Sequence, residues 1–214
     1  AAAVAIELRP DVAWPPDWLG GVRDVGVADS RERRAHALGE LAGAPVRRLL
    51  VACDARLSPD RGSLALIAEL RKPLFDDGYS HVFGNPEGDV TIVEFADYRC
   101  GYCKAAHPQV MELLESDGNI RLIYKEFPIL GQESMLASRV AMAALAIDPE
   151  GYERLHDAML SHKGGLDEAT IYRLAAAAGL DEAELREGAE APEIADGIRA
   201  TYTLAQALKV EGTP

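Results

Sequence analysis

Cys100 and Cys103 are the residues best equipped for chemistry, two thiols separated by Gly101 and Tyr102. The apolar run Val90–Phe95 stops at Ala96-Asp97-Tyr98-Arg99, and beyond the cysteines Ala105, Ala106, Val110, Met111, Leu113 and Leu114 recur at helical spacing. The pair therefore reads as a strand–loop–helix junction. A helix beginning there puts Cys100 at its N-terminus, where unpaired backbone N–H groups and the helix dipole stabilise a thiolate and make it the attacking sulfur. Cys103, within the first turn, lies close enough to close a disulfide and to release a mixed-disulfide intermediate. The competing chemistry is a metal-binding module of Cys100, Cys103 and His107, in the pattern Cys-x2-Cys-x3-His. A closed structural zinc needs a fourth ligand, and the sequence offers no second Cys pair or Cys-His pair to supply one. Redox chemistry leads on that count, and His107 reads as helix surface. Cys53 reads as a small buried hydrophobe at a strand end.

The elements that must position this pair follow from period and punctuation. Val4–Leu8 and Val46–Cys53 read as strands, with helices expected at Ser30–Leu41, capped by Ser30, and at Ser63–Arg71. Together they make a βαβα segment, half of an open α/β sheet. Lys72–Asp89 is a connector rich in Pro, Asp and Gly, with Val82-Phe83 as a short edge strand. Ile120–Tyr124 is the next strand. From Gln132 to Leu208 the chain is helical by period, in the segments Glu133–Ile147, Pro149–Ser161, Asp167–Ala178, Asp181–Gly188 and Pro192–Leu208. Asp167 and Asp181 are suited to N-caps or first turns, and Gly179 to a stop between them. A turn at Val210-Glu211-Gly212-Thr213-Pro214 follows.

Composition sets the outer bounds. With 48% apolar residues the 214-residue chain can bury a core. No apolar run reaches the roughly 18 residues of a membrane span. Ala1–Glu7 lacks the basic and apolar regions of a secretory signal, and without an initiator Met the first residue is not read as the start of a gene product. The net charge of −13 is unevenly spread: residues 1–72 hold 11 Lys and Arg against 10 Asp and Glu, the rest 11 against 25. So sharp a break implies two segments of different origin, and the acidity of the second repels nucleic acid. Three cysteines are too few for a disulfide framework.

Four ordered motifs carry a resemblance to a known family. Val93-Glu94-Phe95-Ala96-Asp97-Tyr98-Arg99-Cys100-Gly101-Tyr102-Cys103-Lys104 resembles the active-site segment of bacterial DsbA-family thiol–disulfide oxidoreductases, with Pro108 matching the bend of their active-site helix. Lys125-Glu126-Phe127-Pro128-Ile129-Leu130-Gly131 is similar to the strand end that follows. The long helical stretch is similar to that family's helical insertion, and Gly212-Thr213-Pro214 to its cis-proline loop. The resemblance spans Leu74–Pro214 and implies an α/β thioredoxin-like fold, with 90–131 and 209–214 as its thioredoxin part, 132–208 as the inserted helices and 73–89 as a connector. It implies Cys100 as nucleophile and Cys103 as resolving thiol. Pro214, with Thr213, would border the site and dock substrate backbone; Glu94 would be the buried acid under the disulfide, paired with Lys125 and able to relay a proton. Gly101 and Tyr102 would tune the pair, and Gly-Tyr occurs in oxidising and isomerising relatives alike. Protein substrates with thiols or disulfides, a membrane redox partner, no cofactor and a periplasmic or other extracytoplasmic location complete the implication.

Two departures from that family stand out. Its members continue past the cis-proline into two antiparallel strands and a helix, so a chain ending at Pro214 is expected to be a truncated fold with an uncovered strand edge. An inactive fragment is a further alternative on that ground. Residues 1–72 match no part of that family. Val51–Ser63 resembles a bacterial membrane-protein family of unknown function that accompanies a GTPase, although no Gly-x4-Gly-Lys-Ser/Thr phosphate loop is present.

Overall fold

The computed structural model describes Val4–Leu8, Arg48–Ala52, residues 69–88 and residues 90–213. Two adjacent parallel strands form its centre: β4 (Val90–Ala96) and β5 (Ile120–Glu126), in register from Val90 opposite Ile120 to Ala96 opposite Glu126. Every residue of β4 is buried, as are all of β5 but Arg121, so both strands are covered on both faces, their polar residues Thr91, Glu94, Lys125 and Glu126 included. Outside them β3 (His81–Gly84) pairs antiparallel with β5, while β1 (Val4–Leu8) pairs antiparallel with β4 and β2 (Arg48–Ala52) antiparallel with β1. The sheet order is thus β2-β1-β4-β5-β3.

This corrects two expectations. The strands of the first third do not form a half-sheet of their own, and the edge of β4 is not open: Val4 faces Glu94 and Leu8 faces Val90 along it. A bare strand edge presents a row of unpaired N–H and C=O groups, so any strand that can reach it is stabilised there. The expected helix Ser30–Leu41, Cys53 and most of Ser63–Arg71 lie outside the described residues; the first described helix is α1 (Arg71–Phe75).

Alternation along β4 and β5 sorts their side chains between two cores. Ile92, Ala96, Leu122 and Tyr124 pack with α2 (Gly101–Asp117) and with α3 (Gln132–Ile147), α4 (Pro149–Ser161), α5 (Glu168–Ala177) and α6 (Glu182–Ala189). Val93, Phe95, Ile123 and Phe127 pack on the other face with Leu74 and Phe75 of α1 and Leu204 and Ala205 of α7 (Pro192–Ala207). Asp167 and Asp181 cap their helices as expected, accepting first-turn N–H bonds. Asp148 does the same for α4, and α2 ends at Gly118 with φ 67, a left-handed conformation that favours glycine.

Lys125 lies on the second face and is fully buried. Its ammonium donates to the Pro73 carbonyl at 2.8 Å and to Asp77 Oδ2 at 2.5 Å. Burial, the largest single influence, pushes the Asp77 carboxyl up, but the Lys125 charge and the hydrogen bonds from Lys125 and Ser80 together hold the group below its ordinary value. Asp77→Asn leaves that ammonium buried without a counter-charge and is expected to cost about 3 kcal/mol. A lower urea midpoint at unchanged slope checks this.

Candidate active site

Cys100 is the N-cap residue of α2, with extended backbone (φ −70, ψ 120), and Cys103 falls in the first turn. Both are free thiols and both are largely buried, at 6% and 2% exposure. Between them Gly101 is exposed and Tyr102 projects to solvent at 77% exposure. The two sulfurs have different surroundings. Cys100 Sγ donates to the Thr213 carbonyl at 3.4 Å, which brings the loop after α7 onto the first thiol. Cys103 Sγ accepts the Asp97 N–H at 3.5 Å. Burial drives the Cys103 thiol well up, opposed by that N–H and reinforced by Cys100 and Glu94 nearby. The geometry therefore offers a thiol at a helix N-terminus with a protonated partner one turn inside.

The segment joining β4 to α2 is held by Asp97, which is fully buried. Its carboxylate accepts the Arg99 N–H at 2.8 Å and, with the other oxygen, the Leu130 N–H at 3.0 Å; its carbonyl accepts the Cys100 N–H at 3.0 Å. Arg99 returns a bond to the Leu130 carbonyl at 2.9 Å and pairs with Glu133 at 2.9 Å. The loop before Cys100 and the loop between β5 and α3 are thus tied to one another. Lys104 ties α2 to the inserted helices, donating to the Met159 and His162 carbonyls at the end of α4 at 3.0 and 2.8 Å.

Of the expected supporting residues, Glu94 and Thr213 come to the cysteines and Lys125 does not. Glu94 shares its register position with Tyr124, whereas Lys125 sits opposite Phe95, so the two charged groups point to opposite faces of the sheet. The expected Glu94–Lys125 pair is therefore replaced by Lys125–Asp77. Pro214 and its peptide bond lie outside the described residues. His107, expected on the helix surface, is buried: four residues after Cys103, it shares the face that packs on α4, and its Nε2 lies 2.9 Å from Asp157 Oδ1. Among the described residues no group of His, Cys, Asp and Glu is arranged to hold a metal. Asp97, Tyr98, Glu126 and His156 are buried polar groups near the site that spacing alone did not single out. For Glu126 the signal was present, since it shares the parity of Ile120, Leu122 and Tyr124, the apolar face of β5.

Burial lifts the Glu94 carboxyl to about 7. A group raised above its unfolded value contributes stability that is complete below about 4.5 and lost as pH rises through about 7. Glu94→Gln removes that dependence. The variant is expected to gain on the parent by as much as about 3 kcal/mol between pH 5 and 8 in urea titrations, and a constant difference across that window contradicts the burial of an ionisable group.

Comparisons with known proteins place this geometry. The family model described as thioredoxin matches residues 76–214. A second model, a protein of unknown function (DUF2868), matches residues 1–91. A thioredoxin-like oxidoreductase from Silicibacter pomeroyi is 44% identical, with TM-score 0.64 over 67% of this chain and 82% of that one. The thiol-disulfide exchange protein α-DsbA2 from Wolbachia pipientis is 33% identical, with TM-score 0.68 over 74% and 86%. Among curated relatives, the Na(+)/H(+) antiporter NhaA 3 of Salinispora tropica is 32% identical over 166 residues, 75% of this chain but 25% of its own length. The chain thus spans about a quarter of the first curated relatives it matches. Family match, structural neighbours and a dithiol at a helix N-terminus agree: the chain belongs to the thioredoxin family, in its DsbA-type branch of thiol–disulfide oxidoreductases.

Proposed function

We propose that this protein exchanges disulfides with protein substrates through Cys100 and Cys103. The observation that carries the reading is the unequal setting of the two thiols: Cys100 caps a helix N-terminus, and Cys103 is buried beside Glu94 with its proton held on. In the reducing direction the Cys100 thiolate attacks a substrate disulfide, forming one S–S bond and releasing one substrate thiolate. Cys103 then attacks Cys100 Sγ, giving up its proton, and the second substrate thiolate leaves as the Cys100–Cys103 disulfide closes. Glu94, whose carboxyl sits at about 7, is the acceptor for that proton. In the oxidising direction the same steps run backwards.

Each net turnover leaves the pair two electrons away from its starting state, so a redox partner must reset it. We assign that role to a membrane-bound quinone-linked oxidant or membrane reductant. The setting that sustains such a cycle is an oxidising, extracytoplasmic compartment such as the periplasm. The direction, oxidase or isomerase, follows from the potential of the pair relative to that partner. Tyr102 and Leu130, two of the large apolar side chains exposed among the described residues, flank the Cys100 segment and suit apolar residues of a substrate chain. Thr213, whose carbonyl meets the Cys100 thiol, supplies backbone on the other side. In this reading residues 90–131 and 209–214 form the thioredoxin-like part, 132–208 the insertion, and 1–72 a segment of separate origin; the thioredoxin match starting at residue 76 supports the last of these boundaries. Ion antiport is no part of this reading: among the described residues no helix is long and apolar enough to cross a membrane.

Cys103→Ser is expected to trap a disulfide-bearing peptide as a stable mixed disulfide on Cys100, and Cys100→Ser to trap none, as read by non-reducing mass spectrometry. Glu94→Gln is expected to slow release from the mixed disulfide by about 100-fold at neutral pH without slowing its formation. Trapping by Cys100→Ser, or insulin reduction that survives that change, overturns the assignment.

A further inference from the structure

Beneath the segment entering Cys100 lies a chain of buried polar groups that disulfide exchange does not use. Tyr98 donates its hydroxyl to Glu126 Oε1 at 2.8 Å, and the Tyr98 hydroxyl oxygen lies 3.0 Å from His156 Nδ1. Ser138 donates to the other Glu126 oxygen at 2.6 Å. All four side chains are more than nine-tenths buried. The strand register puts Glu126 on the same face as Glu94: Glu126 is opposite Ala96, and Tyr124, two residues back, is opposite Glu94. Tyr98 is also the middle residue of Asp97–Arg99, whose first member gives its N–H to Cys103 Sγ and its carbonyl to the Cys100 N–H.

Hydrogen counting shows what one proton does here. Tyr98 has a single hydroxyl hydrogen. With Glu126 ionised, that hydrogen goes to the carboxylate, and the Tyr98 oxygen accepts from a protonated His156 Nδ1. With a proton on Glu126 Oε1, the carboxyl donates to Tyr98, the Tyr98 hydrogen turns to His156 Nδ1, and the imidazole carries its hydrogen on Nε2. Burial keeps His156 well below its ordinary value, so it is neutral in both arrangements and only its tautomer changes. Burial likewise keeps Tyr98 protonated throughout.

Resting on the disulfide-exchange reading above, we propose that Glu126 is a positioning residue for the dithiol: taking up one proton from solvent, it reverses the Glu126–Tyr98–His156 hydrogen-bond chain and so changes the charge and dipole facing the Asp97–Cys100 segment. The groups around this chain are Asp97 and Tyr98 on the segment, Tyr124 on β5, Ser138 on α3, and Tyr152, His156 and Asp157 on α4. His107 of α2 and His81 of β3, the latter bonded to Glu153, face His156 from the other side. Burial raises the Glu126 carboxyl to about 8, opposed by the Ser138 and Tyr98 hydrogen bonds, which places the reversal within reach of physiological pH.

Two measurements on the full chain test this. Nitrogen-15 NMR of the histidine rings, followed from pH 6 to 10, is expected to show His156 passing from the Nε2–H to the Nδ1–H tautomer with a midpoint near 8. The reduction potential against pH is expected to bend near the same midpoint, apart from a separate bend near 7 from Glu94. E126Q is expected to abolish the tautomer change and the bend near 8 while keeping the bend near 7. Should E126Q not fold, Y98F removes only the linking hydroxyl and is also expected to abolish the tautomer change. A His156 tautomer that stays constant in the parent, or an E126Q potential that follows the parent at every pH, overturns the proposal. A dithiol inert toward glutathione contradicts the disulfide-exchange reading instead, and the tautomer titration still decides the hydrogen-bond chain.

Discussion

The register between β4 and β5 decides what lies beneath the dithiol. With side chains alternating between faces, a fixed pairing of Val90 with Ile120 sends Glu94, Tyr124 and Glu126 under the cysteines and sends Lys125 to the far core. A slip of β5 by one residue would exchange its two sets, placing the Lys125 ammonium beside Glu94 where Glu126 now stands. The far core in turn needs Asp77 to neutralise Lys125, so the connector before β3 is tied to the sheet by electrostatics as well as by Leu74 and Phe75.

On the near face, low dielectric is what differentiates otherwise ordinary groups. Glu94, Glu126, Cys103 and Tyr98 all have their protonated forms favoured by burial, and His156 has its neutral form favoured for the same reason. Near neutral pH Glu94, at about 7, is thus the group beside Cys103 poised to change charge, while Asp97 has both side-chain oxygens committed to backbone N–H groups. Against that background the position of Cys100, at the one point where α2 presents its unsatisfied N–H groups, sets it apart from Cys103 a turn later. The loop carrying Thr213 then closes over Cys100 from the far end of the chain, which makes the site depend on a contact spanning the whole helical insertion.

Much of this was legible in the residues. Period and caps placed the five long helical segments after Gln132 to within a residue or two, because Asp167 and Asp181 cap in the ordinary way. The strand–Cys-x2-Cys–helix junction was equally plain. Local signals could not say that Lys125 and Glu94 face apart, since that depends on a pairing between two strands separated in the chain by a helix, and alternation within each strand does not fix the register between them. Nor could His107 be placed, because helical spacing gives the face it shares with Cys103 but not the helix that covers that face. The strands β1 and β2 were read correctly as strands but assigned to the wrong sheet, since sheet membership is a tertiary property that no local pattern encodes.

The central claim, that these surroundings make Cys100 the reacting thiol and Cys103 the reserve, is tested most directly by limited alkylation of the reduced protein at neutral pH with peptide mapping of the first adduct. The account predicts the label on Cys100, with Cys103 spared until the protein is unfolded. First labelling at Cys103, or equal labelling of the two in the folded state, contradicts it.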